Sequence, residues 1–212
     1  MPFPYTFPFN FDIDVPDITV SIAFDSDPLD YPLVYTPITD GIREIHCSRG
    51  REHELDRMEA GTLTVVLDNT SGNYYPDNTG GAYTTKIKPM KAIKVTAYWR
   101  FTTYTIFEGF IDSWELKWAG SGGTDPIVVI TATGALKIIA QQVLNNAGYA
   151  AELSGARASN VLTSGGWSAS KVTLDAGAET MQATGAIANV NALNHLQLVQ
   201  DSELSLLYEA AN

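Results

Sequence analysis

Apolar residues recur with period two through the first two thirds of the chain, the spacing that puts them on one face of a strand. "DITVSIAF" (17–24) alternates, "GIREIHC" (41–47) is a short β-like piece, and in "TLTVVL" (62–67) Leu63, Val65 and Leu67 share a face. "AIKVTAYW" (92–99) sets Ile93, Val95, Ala97 and Trp99 inward against Lys94, Thr96 and Tyr98. "SWELKW" (113–118) sets Trp114, Leu116 and Trp118 against Ser113, Glu115 and Lys117, and "PIVVITA" (126–132) reads as a buried strand. Between them, "LDNTSGNYYPDNTGGAY" (67–83) is a turn and long loop, and "GSGGTD" (120–125) is a flexible turn. Short strands broken by turn signals predict an antiparallel β-barrel or sandwich over 17–133.

The period changes after Thr133. "GALKIIAQQVLNNAG" places Leu136, Ile138, Ile139, Val143 and Leu144 on a helical stripe that Gly148 would stop. "ARASNVLTSGGW" (156–167) reads as a short helix ending at its glycine pair, and "KVTL" (171–174) as one strand. "NVNALNHLQLVQDSE" (189–203) spaces Leu193, Leu196 and Val199 helically, with Asn189 or Asn191 as N-cap. "LSLLYEA" (204–210) reads as a strand after it. Residues 134–212 are thus expected to form a small α/β domain, so the fold class is mixed β and α/β. A continuation beyond residue 212 stays open.

Residues 1–16 differ from both units. Phe3, Tyr5, Phe7, Phe9 and Phe11 occupy every odd position, with prolines at 2, 4 and 8. Proline blocks a helix, so this is an extended arm with its aromatics on one face. Such a tail is an apolar liability unless it folds back on its own domain or docks on another subunit.

Composition narrows the function. The chain has 212 residues and is 45% hydrophobic, enough for one large or two small cores. Its net charge of −11 argues against holding nucleic acid through phosphates. One cysteine, Cys47, excludes an internal disulfide, and His46, His53 and His195 are too scattered for a zinc cluster. No apolar run approaches the ~18 residues of a bilayer span, and the N-terminus lacks the pattern of a signal peptide. A protein made in the cytoplasm is expected.

No motif for catalysis, cofactor or metal emerges. There is no nucleophile elbow, zinc-protease helix, P-loop or dinucleotide fingerprint. Cys47 and His46 are adjacent on a strand and point to opposite faces, so they cannot form a catalytic pair, and Cys47 reads as a small buried residue. His195 reads as a flank residue of its helix. "DNTSG" (68–72) lacks the calcium-loop pattern and is read as a hairpin turn.

One stretch stands out. "RGREHELDR" (49–57) packs six charges of both signs into nine residues of a chain only 17% charged. Alternating Arg and Glu would compete with any metal for the carboxylates. By composition alone a solvated loop is the default, and surface ion pairs would contribute only ~0–1 kcal/mol each.

The order of these pieces resembles minor tail proteins of tailed bacteriophages, of the tail-tip or baseplate hub group. The resemblance rests on "RGREHELDRMEAGTLTVVLDNTSGNYYPDN" (49–78), "IKPMKAIKVTAYW" (87–99), "FEGFIDSWELKW" (107–118) and "ITATGALKIIA" (130–140), and more loosely on 155–210. It implies a non-enzymatic virion protein with a tail-tube-like barrel, forming a ring between tail tube and tip through which DNA passes without specific binding. It implies partners in copies of itself, a tail-tube or distal tail protein, and tip or fibre proteins. Hubs of this kind are commonly trimers with two barrels per chain. One barrel is visible here, which keeps a six-fold distal-tail ring in play. In such a ring Arg49, Arg51 and Arg57 would face carboxylates next door while Glu54 and Asp56 answer, and the aromatic arm would be a second contact. A sugar-binding module for host attachment, with Tyr98, Trp99, Trp114 and Trp118 as platform, is the alternative, although Trp99, Trp114 and Trp118 fall on apolar strand faces where a core role is expected.

Overall fold

The computed structural model describes residues 15–38, 41–50, 58–120, 122–203 and 205–210. The expected aromatic arm and most of the charged stretch, from Arg51 to Arg57, lie outside them. Seven antiparallel strands come first: β1 (Asp17–Ile22), β2 (Thr36–Ile38), β3 (Ile42–Gly50), β4 (Glu59–Asp68), β5 (Ala92–Trp99), β6 (Thr102–Ala119) and β7 (Asp125–Thr133). They form one sheet in the order β2-β1-β5-β6-β7-β4-β3.

That order forces the sheet to curl. β2 and β3 are its opposite edges, yet Ile38 and Ile42 are only four residues apart in sequence. Four residue steps reach at most ~15 Å. Six strand spacings in a flat sheet would separate the edges by ~29 Å. The edges are therefore drawn together around a core that the sheet covers by itself. Val20, Ile22, Leu63, Val65, Leu67, Ile93, Val95, Phe107, Ile111, Val128 and Ile130 fill it, with no helix among its members. The expected barrel is corrected in one respect. β2 and β3 are not paired among the described residues, so the sheet approaches a barrel but stays open along one seam.

The loop expected over 67–83 closes one side of this core. Phe24 stacks on Tyr83 at 4.1 Å between ring centroids, and Tyr74 lies 5.5 Å from Tyr83 and 6.4 Å from Trp114. Asn69, itself buried, holds the loop by accepting the Tyr74 amide at 3.0 Å.

The second core joins two sheet residues (Ala92 and Phe110) and Ala23, just past β1, to three helices: α1 (Ala135–Gln141), α2 (Ser154–Ser164) and α3 (Ala192–Glu203). Leu136, Ile139, Val161, Leu162, Leu196 and Val199 fill it. The expected cap at Asn191 is present: its side chain accepts the Asn194 amide at 3.0 Å. Three expectations fail here. The first helix stops at Gln141 and does not run to Gly148. Gln142 turns extended, and Val143–Asn146 becomes strand β8, paired with β11 (Ile187–Asn191). A cross-chain ladder overrides helical periodicity there. No strand forms at 171–174, where a 3₁₀ turn (Ala169–Lys171) precedes irregular chain. Nor is 205–210 a strand. That segment instead brings Glu209 back to the start of α1, where its carboxylate accepts the amides of Leu136 at 2.5 Å and Gly61 at 3.2 Å. A short antiparallel pair, β9 (Glu152–Leu153) with β10 (Thr180–Met181), completes the elements.

Ile130 is fully buried at the centre of the first core. Ile130→Ala is expected to lower unfolding stability by about 2–5 kcal/mol in urea titration, the range for a buried aliphatic truncation.

Candidate functional site: the hairpin end of the curled sheet

Two hairpins project at one end of the sheet. β5 and β6 continue past Phe110, which pairs with Thr133 at the end of β7, accompanied by β1 and, alongside Val20–Ile22, by the short β2. β3 and β4 likewise continue past Thr62, the partner of Thr133. The charged stretch begins in β3 at Arg49, and the facing ends of β3 and β4, which it joins in sequence, meet here. Of its predicted contact residues, Arg49 alone lies among the described residues. It is exposed, and its guanidinium donates to the Ile106 carbonyl of β6 at 2.8 Å. Arg49 thus ties the two hairpins together across the mouth of the sheet. Arg51, Glu54, Asp56 and Arg57, like Phe3, Tyr5, Phe7, Phe9 and Phe11, lie outside the described residues.

The β5–β6 turn is Arg100–Phe101, closed by Trp99 opposite Thr102. Both residues have positive φ, 47° and 65°. A two-residue hairpin with both central residues left-handed is the type I′ geometry, which normally takes Asn-Gly. Here it carries an arginine and a phenylalanine, at a cost of roughly 1–2 kcal/mol per residue. Phe101 is 95% exposed, and Arg100 stacks over the Trp99 ring at 4.4 Å. A costly backbone here holds an aromatic ring out in solvent.

At the other end, Arg43 of β3 bridges Asp68, ending β4, to Asp125, starting β7. It engages both oxygens of Asp125, one at 2.5 Å, and one oxygen of Asp68. Asp68 also accepts the Thr70 amide at 2.7 Å and its hydroxyl at 2.6 Å. The Thr70 hydroxyl first, then Arg43, hold the Asp68 carboxyl well below its usual range, and Arg43 lowers Asp125. A cleft of about 380 Å³ opens beside this group at the seam, lined by Ile38, Asp68, Thr70, Asn73 and Tyr74 among others. Among the described residues no cluster of three or more His, Cys, Asp or Glu could hold a metal ion.

Several sequence expectations move. His195 is no flank residue. It is buried against Tyr149, ring centroids 5.4 Å apart, and burial, then nearby Arg157, push its pKa down. Arg157 itself was missed. Its side chain is 1% exposed and donates to Glu152 at 2.6 Å and to the carbonyls of Ala150 and Gln182 at 2.8 and 2.9 Å. Its position four residues before Val161, on the apolar stripe of α2, was the available signal. Cys47 is half-buried against the first core while His46 is exposed. Trp114 packs into that core, donating its indole N–H to the Lys88 carbonyl at 3.0 Å. Trp118 is 70% exposed, contrary to its expected core role. It lies opposite Pro126, where the β6–β7 hairpin projects beyond the core.

No protein-family model matches this chain, and no curated protein does. Solved structures do. A 43 kDa tail protein of prophage MuSo2 from Shewanella oneidensis superposes with a TM-score of 0.52 at 14% identity, covering 89% of this chain and 49% of that one. A tail protein from Neisseria meningitidis gives 0.48 at 10% identity, covering 89% and 46%. The chain therefore shares the fold of the MuSo2 tail protein, and it spans about half the length of these structures.

Two outcomes test this geometry. The lowered Asp68 and Asp125 carboxyls contribute stability that is full above their ordinary value of 3.8 and lost as pH falls through their lower folded values. Arg43→Ala should flatten that acid-side slope in pH-dependent melting, leaving only the part due to Thr70. Replacing the turn by Asn-Gly (Arg100→Asn with Phe101→Gly) should raise thermal stability, by on the order of 1–3 kcal/mol in denaturation.

Proposed function

We propose that this chain is a structural subunit of a phage tail tip or baseplate hub, one copy in a ring that joins the tail tube to the tip and lines the DNA channel. The fold shared with the MuSo2 tail protein is the observation that carries the reading. The order of sequence pieces resembling hub proteins supports it. So does the net charge of −11, since a channel wall that does not grip phosphates lets DNA pass.

The units proposed are the arm at 1–16, a tube-like domain at 17–133 and a small α/β domain at 134–212. The ring is formed by copies of this chain, three in preference to six, with a tail-tube or distal tail protein on one side and tip or fibre proteins on the other. The mature location is the virion tail tip, and the role is structural, not enzymatic. No described helix is long and apolar enough to cross a membrane. Contacts between neighbours run through the hairpin end. Arg49, Arg51 and Arg57 meet carboxylates of the next copy, and Glu54 and Asp56 meet its cations, which sets register more than affinity. The aromatic arm, Phe3 to Phe11, supplies the apolar part of the same contact.

A sugar platform draws less support. Tyr98 and Trp118 are exposed, but Trp114 is packed into the core. Roughly 50 Å of strand runs between Trp118 and Thr103, the partner of Tyr98, at ~3.3 Å per residue.

Native mass spectrometry of the purified chain, alone and with its tail-tube neighbour, is the deciding measurement. A trimer is expected, and Arg49→Glu combined with Arg57→Glu should weaken it at least tenfold. A chain that stays monomeric with every tail partner would overturn the ring.

A further inference from the structure

β3 is a nine-residue edge strand, Ile42–Gly50, hydrogen-bonded to β4 on one side and, among the described residues, to no strand on the other. A long edge on an open sheet is a template for another strand, and proteins cover or block such edges. On the core face of β3, Ile45 and Cys47 are only partly buried, so the first core is thinnest along this seam.

The sequence holds a segment with the matching features. Phe3 to Phe11 is also nine residues, aromatic at every odd position. In an extended strand the N–H and C=O of alternate residues point to opposite edges. Pro2, Pro4, Pro8 and Pro16 all occupy even positions. The even edge has therefore lost donors, while the odd edge keeps every N–H from Phe3 to Val15. A strand of this kind can add to a sheet through one edge and end the sheet with the other. Its aromatic face would lie with Ile45 and Cys47 over the thin part of the core.

The arm's root argues for which copy supplies it. β1 enters the sheet at Asp17, opposite Tyr98, and runs from the hairpin end inward. The preceding chain thus departs at the hairpin end. Residues 1–16 contain no glycine, and odd-position apolar residues continue through Ile13 and Val15, so the alternation of the arm runs on to the root of β1. Were they extended, the twelve steps from Val15 back to Phe3 would span about 40 Å, enough to reach beyond the chain's own sheet.

We infer that residues 3–11 of one copy add as a β-strand to the free edge of β3 in the adjacent copy, through backbone hydrogen bonds from the odd positions. Assembly then closes, between copies, the seam that is open among the described residues. This rests on the ring proposed above and names its acceptor surface.

Hydrogen exchange read by mass spectrometry tests it on the full chain. In the assembled protein, amides of 42–50 and 3–11 should be protected together. Diluting to the monomer should release both by at least tenfold in rate, while 62–67 in β4 stays protected. A full-length variant whose odd edge has lost two donors, Phe7→Pro with Phe9→Pro, should release 42–50 at assembly concentrations without unfolding β4. Protection of 42–50 that persists in the monomer would overturn exchange between copies. A ring whose 42–50 amides exchange freely would overturn the docking alone and leave the ring standing. A chain that never assembles would overturn the ring itself.

Discussion

Ile38 and Ile42 lie at opposite edges of a seven-stranded sheet and are joined by only four residue steps. The rest of the structure depends on that tether. It bends the sheet until its own face becomes the container for the first core, so no helix is needed there. It leaves the helices free to build a second core on Ala23, Ala92 and Phe110. And it sets two hairpins side by side at one mouth, where the Arg49 guanidinium can span from β3 to β6.

The second core is held by polar devices as much as by packing. Glu209 reaches back to the Leu136 amide of α1 and the Gly61 amide of β4, and a β-carbon at Gly134 would displace its carboxylate. Glu203 accepts the amides of Ala178 and Glu179 at 2.8 Å each and the Ser154 hydroxyl, which ties the 178–179 segment to both α2 and α3. Buried Arg157 satisfies two carbonyls and one carboxylate at once. Removing Glu152 would leave the buried Arg157 charge without its carboxylate, so this group fixes one arrangement more than it adds stability.

The strands were the legible part of the sequence. β1, β4 and β5 fall on runs whose alternation is plain, because a sheet with one buried face writes its period directly into the chain, and β7 falls on the run read as a buried strand. The failures have physical causes. "QQVLNNAG" continued a helical stripe, but β8 pairs with β11 more than forty residues away, and no local pattern carries that partner. Trp118 alternated correctly with Trp114, yet the core ends before it does. The site was half legible. The charged stretch was visible as composition, whereas the strained Arg100–Phe101 turn was hidden, since nothing in those two residue types announces left-handed backbone.

The lone cysteine now acquires a use that has nothing to do with redox chemistry. Cys47 sits half-buried on the edge strand, its thiol pushed up by burial despite the opposing pull of Arg49. A thiol in that state reacts slowly while β3 lies flat against the core and quickly when it lifts away. The chain thus carries a built-in chemical clock, whose alkylation rate reports how often the seam breathes.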